Sequence, residues 1–134
     1  MRTLHGTVIV ESEHESVAGQ ALVSTENLAF ALVDPANGIV RQPGHPWLGL
    51  SVAGKVLFFP SGKGSSSGSY WLLNLGHEGQ APAAILNAQC DAVVVAGAVL
   101  ADIPLVHRLE PDPFDRIRTG DRVRVRDGDV DVLP

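Results

Sequence analysis

The sequence is poor in the residues that build disulfides, metal sites and membrane spans. Cys90 is its one cysteine, which excludes an internal disulfide and a multi-cysteine metal site within this chain. The formal net charge is −5, whereas proteins that bind nucleic acid usually carry a basic face. No stretch approaches the roughly 18 apolar residues of a membrane-spanning helix, and the first residues lack the apolar segment of a secretory signal. These absences predict a soluble cytoplasmic protein that binds neither nucleic acid nor membrane.

The residues that are present suffice for one hydrophobic core. A chain of 134 residues, 45% of them hydrophobic, predicts a single domain spanning residues 1–134. Two segments predict short helices: SYWLLNLG, which ends at Gly76, and DAVVVAGAVLAD, which begins at Asp91. Runs rich in β-branched and other apolar residues, separated by glycine, proline or polar turns, predict β-strands at residues 3–11, 19–24, 54–60, 81–88 and 103–109.

The C-terminal segment DRVRVRDGDVDVLP has the clearest local pattern. Val123 and Val125 alternate with arginine, Val130 and Val132 alternate with aspartate, and Asp127-Gly128 lies between the two runs. This pattern predicts a β-hairpin with a primed turn and one apolar face. We expect the arginines and aspartates of the other face to pair at the surface, where ion pairs contribute little. All the elements together predict an α+β fold, mostly β with two or three short helices.

The sequence SGKGSSSGS at residues 61–69, which we call the Ser/Gly segment, lies between a predicted strand and a predicted helix. Because both elements follow so closely, the segment is not predicted to be a flexible linker. The first N–H groups of a helix have no partner within it and attract anions. Gly62 and Gly64 allow the backbone to approach a ligand closely, the serines add hydroxyl groups, and Lys63 adds a positive charge. The segment therefore predicts a binding site for a carboxylate or a phosphate.

Other interpretations of the same segment are weaker or less specific. A nucleotide-binding P-loop is excluded, because Leu57 stands at the position of its first glycine and Gly64 at the position of its Ser or Thr. A phosphohistidine-type swivelling domain would need a histidine in the segment, which has none. A purely structural role, in which the serines cap a helix and the glycines turn the chain, stays open.

Much of the chain resembles the small subunit, or swivelling domain, of the aconitase X family, which implies a swivelling β/β/α domain. PSGKGSSSGS is the most specific part of the match. In aconitases proper, a related Gly-Ser-Ser-Arg-Glu-His motif on this domain carries the catalytic serine, which implies that Ser65 is the catalytic residue. Ser67 replaces the carboxylate-binding arginine of that motif, and Ala31-Leu32 replace two glycines common in the family. The matching stretches are GQALVSTENLAF, VDPANGIV, GHPWLGLSVAGKVLFFPSGKGSSSGS, APAAILNAQCDAVVVAGAVLADIPLV and IRTGDRV.

The resemblance implies a function as half of a hydro-lyase that dehydrates a hydroxy-carboxylate. A large subunit of the family holds an iron or iron–sulfur centre through cysteines, so this chain is expected to bind no cofactor and no metal itself and to form a heterodimer. The overall composition favours cis-3-hydroxy-L-proline as the substrate, with mevalonate 5-phosphate as the alternative. A second alternative is a non-catalytic anion-binding domain. The residues expected to bind substrate are Gly62, Lys63, Gly64, Ser66, Ser67 and His45.

Three polar or reactive residues outside the Ser/Gly segment also have predicted roles: His45, Asp34 and Cys90. His45 lies between Gly44 and Pro46, in a predicted loop that could face a cleft and contact substrate or a partner. Asp34 precedes a proline and is expected to accept a hydrogen bond within a turn. Cys90 lies among alanines and is expected to pack as a small apolar residue.

Overall fold

The computed structural model describes residues 2–63 and 67–134. Each strand and helix predicted from the sequence is present, with boundaries shifted by a few residues. The helices are α1 (Gly68–His77) and α2 (Ala92–Ala101), with short 3-10 turns at Phe30–Leu32 and Pro113–Asp115. The strands are β1 (Arg2–Val10), β2 (Val17–Val23), β3 (Val56–Phe59), β4 (Ala84–Asn87), β5 (Leu105–Glu110), β6 (Arg122–Arg126) and β7 (Asp129–Val132).

The seven strands form a closed barrel in the order β1-β5-β4-β3-β2-β6-β7. The prediction of a mostly β domain with short helices and a C-terminal hairpin is confirmed. The closure of the sheet was not predicted, because it depends on β1 pairing with both β5 and β7 near the other end of the chain. The layered α+β arrangement expected from the sequence is therefore a barrel with two helices packed outside it.

Four neighbouring strands, β2 to β5, run parallel to one another. Parallel neighbours need long crossover connections, and α1 and α2 lie in the connections from β3 to β4 and from β4 to β5. Both helices therefore begin at the edge of the sheet where β3 and β4 end. The helices pack closely, since a Cβ atom at Gly97 of α2 would lie 2.9 Å from Cβ of Leu72 in α1.

The side chains of β3 divide between two hydrophobic cores. Val56 and Phe58 belong to a core to which all seven strands contribute, inside the barrel. Leu57 and Phe59 belong to a second core between the sheet, the two helices and the long connection from β2 to β3. All four residues are buried, as expected of a strand that is covered on both faces. The second core fixes the positions of the helices relative to the edge of the sheet.

The C-terminal hairpin pairs Val123 with Val132, and Asp127 has a φ of 49°, as the first residue of a primed turn requires. The prediction that its Arg–Asp pairs lie at the surface is wrong for Asp131, whose side chain is fully buried. Its carboxylate accepts hydrogen bonds from Thr3 Oγ1 at 2.8 Å, Arg124 Nη2 at 3.0 Å and Arg126 Nη2 at 3.1 Å. Burial by itself raises the pKa of this carboxyl, but these donors outweigh it and hold the pKa below its usual value.

Candidate functional site

The first residues of the Ser/Gly segment are fixed by backbone hydrogen bonds to Leu28. Leu28 N donates to Ser61 O at 3.2 Å, and Lys63 N donates to Leu28 O at 3.0 Å. Gly62 lies between these two bonds and forms a parallel bridge with Leu28. The chain leaving β3 is therefore held as a short extended piece over residues 61–63, and the Lys63 side chain is exposed.

Gly62 also contacts the start of α2. Its N–H donates to Asp91 Oδ1 at 3.1 Å. A Cβ atom at position 62 would lie 2.5 Å from Asp91 Oδ1 and 2.8 Å from Val94 Cγ2. The missing side chain at Gly62 therefore permits a close approach to a carboxylate of the same chain, and the predicted approach to a ligand stays a prediction.

A small cavity of about 30 Å³ lies between this piece of backbone and the two helix starts. Such a volume holds about two water molecules, so a whole hydroxy-carboxylate would extend out of the cavity mouth. Its lining combines apolar side chains with the charged residues Lys63 and Asp91. The lining includes Leu28, Phe30, Gly62, Lys63, Gly68 and Asp91.

The structure describes three of the residues predicted in the Ser/Gly segment and brings them to one place. Gly62 and Lys63 line the cavity, and Ser67 is the exposed N-cap residue of α1. Gly64, Ser65 and Ser66 lie outside the described residues, and their predicted roles stay predictions. The strand, the segment and the helix start follow one another as the sequence predicted.

His45 does not occupy the cleft-facing position that the sequence suggested. Only 4% of its surface is exposed, and it is not among the residues that line the cavity. Its Nε2 lies 3.3 Å from Ser24 Oγ, and its Nδ1 accepts a hydrogen bond from Trp47 N at 3.0 Å. Burial lowers its pKa, although the Glu26 backbone and side chain act in the opposite direction. His45 is therefore buried against Ser24 and Trp47 and does not line the cavity, and its predicted contact with substrate or a partner stays a prediction.

Asp91 is the site residue that the sequence analysis did not identify. The sequence marked it only as the start of a helix, because aspartate is a preferred N-cap residue. Its contact with Gly62 joins positions 29 residues apart, and no local pattern predicts such a pairing. The only available signal was the combination of a capping aspartate with a glycine that follows a buried strand.

The remaining polar residues behave largely as predicted. Asp34 Oδ1 accepts a hydrogen bond from Ala36 N at 2.9 Å, which confirms its turn role. Burial raises the pKa of the Cys90 thiol, so this cysteine has little thiolate character. Cys90 N donates to Nδ1 of His107, whose pKa is lowered by burial and then by Arg108.

Residues 2–63 and 67–134 provide neither a metal-binding cluster nor a membrane-spanning helix. No group of three or more His, Cys, Asp or Glu side chains in this part of the chain is arranged to hold a metal ion. Among the same residues, no helix is both long enough and apolar enough to cross a membrane.

Comparisons with known proteins match almost the whole chain. A family model described as the aconitase X swivel domain matches residues 3–132. The phosphomevalonate dehydratase small subunit of Methanococcoides burtonii is 44% identical over 108 residues, which is 80% of this chain and 79% of that protein. The subunit of the same name from Thermococcus gammatolerans is 39% identical over 133 residues, 97% of each chain. The crystal structure of Thermococcus kodakaraensis aconitase X in its holo-form superimposes with a TM-score of 0.91 at 36% identity, covering 100% of both chains.

Proposed function

Because the chain belongs to the aconitase X swivel-domain family, we propose that it is the small subunit of a hydro-lyase whose active site it shares with a large subunit. The names of the two relatives, both small subunits of a dehydratase, support this proposal. So does the small volume, about 30 Å³, of the cavity lined by Gly62, Lys63 and Asp91, which suits a substrate that is enclosed only when a second protein surface covers it.

The proposed substrate is mevalonate 5-phosphate. The same two relatives carry phosphomevalonate in their names, whereas the preference for cis-3-hydroxy-L-proline rested on composition alone and finds no support in them. A substrate with a phosphate at one end and a carboxylate at the other suits a site that offers Lys63 and the start of α1. Mevalonate 5-phosphate therefore replaces cis-3-hydroxy-L-proline as the favoured substrate.

Ser65 and Lys63 have proposed roles in eliminating water. Ser65 accepts the proton from the carbon next to the carboxylate. The electrons of that C–H bond form the double bond, and the neighbouring C–O bond breaks with both of its electrons going to the departing hydroxide, which the metal centre proposed for the large subunit would accept as a Lewis acid. A serine alkoxide is stabilised by the N-terminus of α1 and by Lys63, which lowers the cost of using serine as a base. Lys63 also stabilises the negative charge that develops on the substrate carboxylate.

The iron or iron–sulfur centre implied by the family is proposed for the large subunit. The residues that the structure describes do not fit such a centre, because none of their His, Cys, Asp and Glu side chains form a ligand group. The part of the mechanism assigned to this chain is proton transfer and substrate binding.

The proposal is tested by purifying the chain alone and together with a large subunit of the aconitase X family from the same organism. Both preparations are assayed for dehydration of mevalonate 5-phosphate and of cis-3-hydroxy-L-proline. We expect turnover of mevalonate 5-phosphate by the assembled enzyme and none by the isolated chain. Turnover of hydroxyproline alone would refute the substrate, turnover by the isolated chain would refute the shared site, and an assembled complex that turns over neither would favour a non-catalytic anion-binding domain.

A further inference from the structure

Asp91 occupies the N-cap position of α2 but does not cap that helix. Its backbone angles, φ −112° and ψ 162°, are those of an ordinary N-cap residue. The side-chain oxygen of such a residue normally accepts a hydrogen bond from an N–H of its own first turn. Here the Asp91 side chain makes no capping bond, and Oδ1 instead accepts the N–H of Gly62 at 3.1 Å. The Asp91 carboxylate therefore bonds to a segment distant in sequence and not to the first turn of its own helix.

The contact is possible because position 62 carries no side chain. A Cβ atom there would overlap both Asp91 Oδ1, at 2.5 Å, and Val94 Cγ2, at 2.8 Å. Glycine therefore permits the approach, and aspartate at position 91 supplies the acceptor. The contact at the start of α2 therefore depends on both residues.

Asp91 acts on a piece of backbone that is fixed on its other side by Leu28. Leu28 N and O bond to Ser61 and Lys63, the residues on either side of Gly62. The backbone at residues 61–63 is therefore held from two sides, by a chain segment and by a carboxylate. This held piece directly precedes the residues that contain the proposed base.

We propose that Asp91 is a positioning residue that holds the backbone of residues 61–63, at the start of the Ser/Gly segment, in its productive place through Gly62. It acts through the backbone and not on the substrate, so its loss should reduce turnover by displacing Lys63 and the following serines. Displacements of about 1 Å in such a segment can lower rates by about 100-fold. The kinetic part of this inference rests on the proposed function, whereas the anchor itself is a property of this chain alone.

The test compares Asp91→Ala, which removes the acceptor, with Asp91→Asn, which retains a side-chain oxygen at the same place. Asp112→Ala is the matched control, because Asp112 Oδ1 accepts a backbone N–H from Phe114 at 3.0 Å in a turn outside the proposed site. Two quantities are measured: kcat and KM of the assembled enzyme at saturating large subunit, and amide hydrogen exchange of Gly62 in the full chain without its partner.

For Asp91→Ala we expect kcat to fall about 10- to 100-fold and Gly62 exchange to accelerate about 10-fold or more. Asp91→Asn should restore most of both values, and Asp112→Ala should match the wild type. Wild-type kcat or unchanged Gly62 exchange in Asp91→Ala overturns the proposal. So does an Asp91→Asn variant as impaired as Asp91→Ala, because the negative charge and not the accepted hydrogen bond would then be required.

If Asp91→Ala does not fold, Gly62→Ala breaks the same contact from the other side and should lower kcat to a similar extent. A Gly62→Ala enzyme with wild-type kcat overturns the inference. If the assembled wild type turns over neither substrate, the proposed function fails by itself. The exchange rate of the Gly62 amide in Asp91→Ala then decides whether the anchor exists.

Discussion

Replacing Lys63 by methionine removes the one charge that the described part of the Ser/Gly segment carries, while leaving the backbone contacts of the segment in place. Lys63 is held through its backbone N–H, which donates to Leu28 O, and its side chain is exposed. The substitution should therefore have little effect on folding. Any change in the kinetic constants can then be attributed to the interaction of the ammonium group with the substrate.

Lys55, the other lysine of the chain, provides a matched control. It directly precedes β3, whereas Lys63 follows the end of that strand, so the two lysines lie at opposite ends of β3. Lys63→Met and Lys55→Met each change the formal net charge from −5 to about −6, since each removes one positive charge. Both variants therefore alter the overall electrostatic attraction of an anionic substrate equally, and only Lys63→Met alters the site.

A hydrogen bond from an ammonium group to a substrate anion at a partly solvated position contributes about 1 to 2 kcal/mol, which corresponds to an increase of about 5- to 30-fold in KM. We expect a smaller decrease in kcat if the contact strengthens as charge develops. The difference from the wild type should shrink between low and moderate salt, because ions screen an exposed charge. Steady-state kinetics of the assembled enzyme at two salt concentrations measure all three effects. Wild-type constants for Lys63→Met, or equal effects of Lys63→Met and Lys55→Met, would refute the reasoning.

Three further predictions concern the base, the buried carboxylate and the helix pair. Ser65→Ala should lower kcat by about 100- to 1,000-fold or more with little change in melting temperature; an assembled variant that keeps most of the rate would exclude Ser65 as the base and make Ser66 the next candidate. Asp131→Ala leaves two arginines that water can reach and should lower the free energy of unfolding by about 1 to 2 kcal/mol. Replacing both Arg124 and Arg126 by methionine leaves a buried carboxylate without cations and should lower it by about 3 to 4 kcal/mol. Because the folded-state pKa of Asp131 is lowered, the stability that its carboxylate contributes is present above the usual pKa of 3.8 and is lost as the pH falls through the folded-state pKa. Urea unfolding measures both effects. Equal losses of stability in the two variants, or the same acid sensitivity in Asp131→Ala as in the wild type, would contradict this account of Asp131. Gly97→Val should cost about 1 to 3 kcal/mol of unfolding free energy because it forces α1 and α2 apart, and an unchanged urea midpoint would contradict the close packing.

The sequence by itself determined the local elements and the position of the site along the chain. Alternating valines with Asp127-Gly128 between them can satisfy only a hairpin with one buried face, because side chains alternate across a strand. The Ser/Gly segment was recognised for a similar reason, since a buried strand and a helix start confine it to the edge of the sheet. In each case the information is carried by residues only a few positions apart.

Only the tertiary structure decided which distant segments meet and which polar groups they bury. The sequence placed Asp131 on an exposed face, yet β1 and two arginines cover it. The sequence suggested a loop position for His45 that could face a cleft, yet its side chain is buried and contacts Ser24 and Trp47. Gly62 and Asp91 are 29 positions apart, so their contact cannot be predicted from the repeat of a strand (2 residues) or of a helix (3.6 residues). Burial and long-range hydrogen bonds depend on how the barrel closes and how the two helices pack on it, and a local pattern of apolar and polar residues is the same for many such arrangements.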